Sequence, residues 1–225
     1  MPISKLGQRR QVVLPKEICE KLGLQIGDFV EVQQVKGTVV IKPKKLVDAD
    51  EVRADGFIED EHGNFDWAFP GPDVHAFVNQ LERPVGLYLY GRRMYETMVF
   101  WETQGGKSAV TREYAQIWRA ADKIVFSRTL QEASSARTRI EPELTADVIR
   151  RLKESSPTEL SIGGAELGGQ AITAGLVDEL RLLLAPVIVG AGKPALPAGI
   201  HSKLRLNDTR TFANGFVYLS YRLQA

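Results

Sequence analysis

Residues 5–32 fit a short β-rich run, a turn, a two-turn helix, another turn and the start of a strand into a very small span. A segment of that size buries too little surface to hold a core alone. It contains neither a metal motif nor a cysteine pair, so its missing core implies a partner chain. The run 11–14 is rich in β-formers and stops at Pro15. Residues 16–22 read as the helix, with Pro15 suited to its start and Gly23 to its left-handed end. Residues 29–35 alternate as a strand, Lys36-Gly37 makes a tight turn, and residues 38–42 return as a second strand that Pro43 ends.

Charge separates this head from the rest. Residues 1–47 hold nine Lys and Arg against four Asp and Glu, while the remainder holds 20 against 24. A basic head on a mildly acidic body points the head toward a polyanion. Lys5, Arg9 and Arg10 could share one face, where guanidinium groups bind phosphate or read guanine edges; Gln8 and Gln11 could add hydrogen bonds. The polar N-terminus, the absence of an apolar run near 18 residues and the single Cys19 imply a cytoplasmic chain with no membrane span. Cys19, beside Ile18 on the short helix, reads as a small apolar residue and not as a reactive thiol.

Residues 44–54 are polar and charged and hold the boundary, drawn as 1–47 and 48–225; from Asp55 onward the punctuation changes. Helical patterns over 74–81, 94–101, 108–121, 145–154 and 167–174 alternate with strands at 85–90, 123–127, 159–162 and 179–189. Two closing strands, 204–212 and 215–223, form an antiparallel pair. This is an α/β pattern with helices on both faces of a sheet. Four clusters follow strands, where such sheets place ligands. They are the loop 55–67, the turn from Tyr90 to Glu96, residues 126–129, and the glycine-rich run 161–169. Backbone N–H groups at a helix start favour an anion, and Arg92 and Arg93 add charge. Paired glycines at 163 and 164 let a pyrophosphate approach the chain. Any one of these junctions is more often a plain turn; three on successive strands suit a dinucleotide with a 2′-phosphate, NADPH over NADH.

Two resemblances sharpen these readings. Residues 7–18 followed by 21–28 resemble the AbrB/MazE-type swapped-hairpin DNA-binding domain. That resemblance implies an obligate dimer contacting double-stranded DNA through Lys5, Gln8, Arg9 and Arg10, or a dimerisation module that has lost DNA binding. The order Asp55-Gly56, 91–96, 125–130, 162–167 and 177–194 resembles the dihydrofolate reductase-like domain of the RibD C-terminal family. It implies a mixed sheet flanked by helices and an NADPH-dependent reductase of a pteridine- or pyrimidine-like heterocycle. Gly91, Arg92, Arg93 and Met94 would surround the adenosine phosphate with Ser127, Arg128 and Thr129. Gly163, Gly164, Ala165 and Glu166 would hold the pyrophosphate. Asp55 would lie near the nicotinamide and the substrate.

Residues 46–54 depart from that family's apolar first strand, because Asp48, Asp50, Glu51 and Arg53 burden it with charge. The expectation is an edge or irregular strand, or one remodelled by the N-terminal fusion. Asp55 and Asp73 are the candidate proton-handling acids, although Asp73 also reads as an N-cap for the helix over 74–81. His62, His75 and His201 lack metal-ligand spacing, so no metal is expected. Three functions stay open: a reductase carrying a DNA-binding dimer, a regulator whose reductase-like domain senses a ligand without turnover, and an antitoxin-like partner protein. The last fits least, since antitoxin tails are short and this chain continues as a folded domain.

The DNA reading has a direct test. Substituting Arg9 and Arg10 together by Ala should weaken DNA binding and lower the slope of log affinity against log salt by about 0.9 per lost phosphate contact. Fluorescence anisotropy over a salt series measures it, and an unchanged slope would remove those arginines from the interface.

Overall fold

The computed structural model describes residues 12–22, 24, 30–35, 38–43, 46–65, 70–104, 106 and 108–224. It divides into two compact units, Met1–Lys44 and Lys45–Ala225.

In the smaller unit, α1 (Lys16–Leu22) starts directly after Pro15, whose carbonyl accepts from the Ile18 and Cys19 amides at 2.9 and 3.1 Å. Strands β1 (Val30–Val35) and β2 (Thr38–Pro43) pair antiparallel, with Val32 opposite Ile41 and Gln34 opposite Val39. That register puts Val30, Val32, Val39 and Ile41 on one face of the hairpin. The three valines are exposed, and α1 has no buried residue. Cys19 is half-buried, with Sγ 3.8 Å from the Leu14 carbonyl oxygen.

The larger unit is a mixed eight-stranded sheet with helices on both faces. In chain order its elements are β3 (Leu46–Arg53), β4 (Phe57–Asp60), α2 (Pro72–Glu82), β5 (Val85–Gly91), α3 (Arg92–Met98), α4 (Phe100–Thr103), α5 (Ala109–Ala120), β6 (Asp122–Phe126) and β7 (Thr138–Glu141). There follow α6 (Ala146–Ser155), β8 (Glu159–Gly163), α7 (Ala165–Thr173), β9 (Glu179–Ala185), β10 (Gly192–Pro194), β11 (Lys203–Thr211) and β12 (Val217–Gln224). Strand order is β11-β12-β9-β3-β8-β5-β6-β7. The run from β9 to β7 is parallel, and β12 joins it antiparallel through β9.

Alternation along β5 shows how the layers form. Leu87 and Leu89 face α6 and α7, where they meet Ile149, Leu167 and Ala171. Tyr88 and Tyr90 face α3 and α5, beside Tyr95 and Trp118. The two tyrosine rings stack at 5.5 Å, and the Trp118 indole donates to the Tyr90 hydroxyl at 3.2 Å. A third cluster seats α2 on the sheet through Val74, Phe77, Ala185, Phe212 and Tyr218. Two buried cations have close anions: Arg181 donates to Glu179 at 2.7 Å, and Lys153 to Asp178 at 2.6 Å.

The structure corrects several expectations. The charged segment from Leu46 to Arg53 is a strand, and it is central, between β9 and β8. Its long register with β9, from Val47↔Glu179 to Arg53↔Ala185, supplies the backbone bonds that decide its place despite the charges. The long strand expected over 179–189 stops at Ala185, because Pro186 follows and cannot donate to a ladder. The helix over 94–101 is two pieces meeting at Val99. Gly71, not Asp73, caps α2; Pro72 takes the first turn and Asp73 follows it, exposed. Strands β4, β7 and β10 are short and were not separable from loop by pattern.

Strand β10 lies against β4, with Gly192 opposite Asp60. Gly192 has φ +149°, and a Cβ there would stand 1.9 Å from the Glu59 carbonyl oxygen. Gly192→Ala must therefore break this pairing or strain it. The expected loss is at least about 1–3 kcal/mol, read as a lower melting temperature with secondary structure retained.

Candidate functional site at the strand ends

Parallel register carries the site. Gly91 lies opposite Phe126, and Tyr90 lies opposite Gly163. The carboxyl ends of β8, β5 and β6 therefore finish at one level, and each opens into a turn. The first pair of strands to separate is β3 and β8. Their pairing ends at Asp48↔Ile162, while β3 continues to Arg53 with β9 alone. The chain also reverses its direction of travel across the sheet here, since β8 lies on one side of β3 and β9 on the other. In an open α/β sheet that is where a crevice forms for a ligand.

Gly91 caps α3 without a side-chain bond. Its φ of −74° suits any residue, and a Cβ added there would stand in open space. Among the described residues nothing crowds this position, so neither backbone conformation nor packing requires glycine here. Arg92 is held ready: Nε donates to Glu96 Oε1 at 2.7 Å and Nη1 to Thr129 Oγ1 at 2.9 Å. That second bond joins α3 to the turn after β6. Ser127 shapes the turn, its Oγ accepting from the Thr129 and Leu130 amides at 3.2 and 3.0 Å. Arg128 is exposed and pairs with Glu143.

On the neighbouring strand, Gly164 caps α7 at φ +98°, a conformation that favours glycine. Met94 packs over both glycines: a Cβ at Gly163 would lie 3.4 Å from its Cε, and one at Gly164 3.7 Å from its Cβ. Ala165 is buried at the start of α7. Glu166 is exposed and accepts from Lys193 Nζ at 2.8 Å. Lys193 holds the Glu166 carboxyl below its ordinary range, with a smaller contribution from Arg93. Thus Gly91, Arg92, Met94, Ser127, Thr129, Gly163 and Gly164 are drawn together, with Arg93 close enough to act on Glu166. Two helix starts and several cations face one strand-end edge, an arrangement that can hold a phosphorylated ligand.

Asp55 follows β3 and works as a clamp. Its Oδ2 accepts from the Gly190 and Val189 amides at 2.8 and 2.9 Å. The Ala54 amide adds a bond to the Val187 carbonyl at 3.0 Å. The Gly190 N–H is the main cause that lowers the Asp55 pKa, with Val189 assisting against the opposing effect of burial. Asp73 makes no comparable contact among the described residues. Lys5, Gln8, Arg9 and Arg10 lie outside the described residues.

Three residues carried no assigned role on sequence reading. Lys193 stood in a conspicuous Gly-Ala-Gly-Lys-Pro run, which was the available signal. Glu51 and Arg53 read only as charges in the wrong place. A groove of about 540 Å³ runs along α7, lined by Gln170, Thr173, Lys193, Pro194, Leu196 and Pro197. It reaches the strand-end site only at Ala165 and Glu166 and is mostly apolar, so the polar chemistry lies beside it and not within it. Among the described residues no helix is long and apolar enough to cross a membrane, and no group of three or more His, Cys, Asp and Glu is placed to hold a metal.

Residues 51–218 match the family described as RibD C-terminal domain. Residues 3–48 match the family described as antidote-toxin recognition MazE, bacterial antitoxin. The chain is 32% identical over 187 residues to the uncharacterized protein YyaP of Bacillus subtilis (strain 168), covering 80% of this chain and 96% of that protein. A pyrimidine reductase-like protein from Corynebacterium diphtheriae shares the fold at TM-score 0.61 and 14% identity, over 81% of this chain and 92% of that one. So does a diaminohydroxyphosphoribosylaminopyrimidine deaminase/5-amino-6-(5-phosphoribosylamino)uracil reductase from Thermotoga maritima, at TM-score 0.58 and 14% identity, over 80% of this chain and 57% of that one.

The Asp55 clamp predicts a pH-dependent stability. A carboxyl whose folded pKa lies below its unfolded value of about 3.9 stabilises the fold above that value and loses the effect as pH falls through the folded pKa. Asp55→Asn should lower the melting temperature at neutral pH, with the gap to wild type closing below about pH 4. A gap that ignores pH would assign the effect to shape instead of charge.

Proposed function

The chain belongs to the RibD C-terminal domain family, and from that premise we propose that its larger unit binds NADPH and reduces a pteridine- or pyrimidine-like heterocycle. The observation that carries the reading is the level alignment of Gly91, Ser127 and Gly163, with Arg92 bridging to Thr129. Arg92, Arg93, Ser127, Arg128 and Thr129 would hold the adenosine 2′-phosphate. Gly163, Gly164 and Ala165 would present backbone to the pyrophosphate, with Glu166 drawn aside by Lys193. Bound there, NADPH would supply a hydride, and the protein's part is to align two rings and manage one proton. Asp55, held ionised by the Gly190 and Val189 amides, would act chiefly by fixing the loop after β9 against the end of β3. Asp73, exposed in the first turn of α2, remains the candidate proton donor.

For the smaller unit we propose a homodimer that grips double-stranded DNA. The exposed valine face of the β1–β2 hairpin supports a second copy as the missing core. The same fusion allows the larger unit to act as a sensor whose ligand alters DNA binding. The central placement of β3 favours turnover over sensing alone, because it supplies the strand that a degraded site would lack.

Titration of NADPH fluorescence tests the cofactor assignment. Wild type should saturate in the micromolar range and bind NADPH more tightly than NADH. Arg92→Ala with Arg93→Ala removes charge-assisted bonds of about 1.5–3 kcal/mol each and should weaken NADPH at least roughly tenfold. No saturable signal would end the assignment. Loss of NADPH absorbance with a panel of pteridines and pyrimidines separates a reductase from a sensor.

A further inference from the structure

The amino ends of the strands, opposite the candidate site, hold a second charged cluster. Glu82 is the last residue of α2, Glu159 the first of β8 and Glu179 the first of β9. One guanidinium, that of Arg181 on β9, acts on all three carboxyls. Glu82, Glu179 and Arg181 are buried, at 8%, 3% and 9% exposure. The Glu159 side chain is 26% exposed, but its Oε2 is buried with no hydrogen-bond partner.

Arg181 is already engaged. Its Nε donates to Glu179 Oε1 at 2.7 Å, and the Ser220 hydroxyl donates to the same oxygen at 3.0 Å. Nη1 is 3.5 Å from the Leu81 carbonyl oxygen, and Nη2 is 3.8 Å from Glu159 Oε2. Among the described residues its ion pairs go to Glu159 and Glu179, not to Glu82. Three ionised carboxylates would therefore outnumber one cation. A buried carboxylate without a close cation is costly, and a like charge nearby adds to the cost. Glu82 bears both burdens and a third, since it ends a helix whose last carbonyls carry partial negative charge.

The other groups that face Glu82 do not relieve it. On β5, the Tyr88 hydroxyl stands near its carboxyl but is buried with no hydrogen-bond partner among the described residues. Tyr90 on β5 and Tyr114 on α5 bring no positive charge. Arg83, next along the chain, is exposed and pairs with Glu113 of α5. Tyr218 of β12 faces Arg181. Burial raises the Glu82 pKa and Glu159 adds to the rise, while Tyr88 and Arg181 oppose them only in part.

We propose that Glu82 is a neutral carboxylic acid at neutral pH, and that its proton is the latch fastening the end of α2 to the sheet. The buried oxygens of Glu159 and Tyr88, each without a partner, are the acceptors it serves. Glu159, partly exposed, gives the proton a route to water. When the proton leaves, like charges meet at the helix end and the contact loosens. A carboxyl whose folded pKa lies above its unfolded value of about 4.3 stabilises the fold below that value, and the effect is lost as pH rises through the folded pKa. The sign is the reverse of that at Asp55.

The test is urea unfolding of the full-length protein over a pH series from about 4 to 9. Tryptophan fluorescence reports the larger unit, because residues 1–44 contain no tryptophan. Glu82→Gln keeps the shape of the neutral acid. Its folding constant relative to wild type should rise with pH, by at most about tenfold per unit. An offset that ignores pH, or one that falls as pH rises, overturns the proposal. Carbon-13 NMR of the glutamate carboxyls gives a second reading. At neutral pH wild type should show a carboxyl in the position of a neutral acid, and one such resonance should vanish in Glu82→Gln. None in wild type, or none lost in the variant, overturns the proposal. If Glu82→Gln does not fold, Glu159→Gln removes the neighbouring charge. One neutral resonance should then titrate at lower pH than in wild type, and unmoved midpoints overturn the assignment.

Discussion

Backbone pairing of β3 on both edges holds the larger unit together. It bonds to β9 over seven residues and to β8 over three. On one side stand β9 and the antiparallel pair β11–β12; on the other stand the parallel strands that end in anion-friendly turns. Without β3 these halves would share no ladder. Its unequal pairing also shapes the site, since the strand leaves β8 early and follows β9 to its end. In an open α/β sheet, strands that part in this way leave room for a ligand crevice.

Charge in the middle of a sheet is expensive unless it is compensated. That cost made the segment look unfit for a centre. Backbone hydrogen bonding outweighs it, and Arg53 donates to the carbonyls of Phe65 and Glu51, with the Glu51 carboxylate 3.9 Å away. The compensation at Arg53 is incomplete, since its Nε is buried with no hydrogen-bond partner among the described residues. Natural sequences break local rules most readily where function needs it.

Much of the architecture was legible. The alternation in β5, the glycines after β5 and β8, and the hydroxyl turn after β6 all announced themselves, because each follows from period or from backbone need. Gly164 was readable for the same reason. What escaped was set by distant partners. Lys193 meets Glu166 only after the chain has crossed the sheet, and the Asp55 clamp closes on amides far along the sequence. Strand β7 is short and half-buried, so its pattern resembled a loop. Asp73 misled because Pro72 claims the first helical turn and hands the cap to Gly71.

The short ladder of β4 with β10 couples two loops that would otherwise move apart independently. The first carries the chain away from Asp55; the second ends beside Lys193 and its bond to α7. Gly192 brings the two backbones so near that neither can shift without dragging its neighbour. The segment after Asp55 and the Lys193 contact with α7 are therefore braced against each other through one backbone contact, and any side chain placed at Gly192 disturbs both.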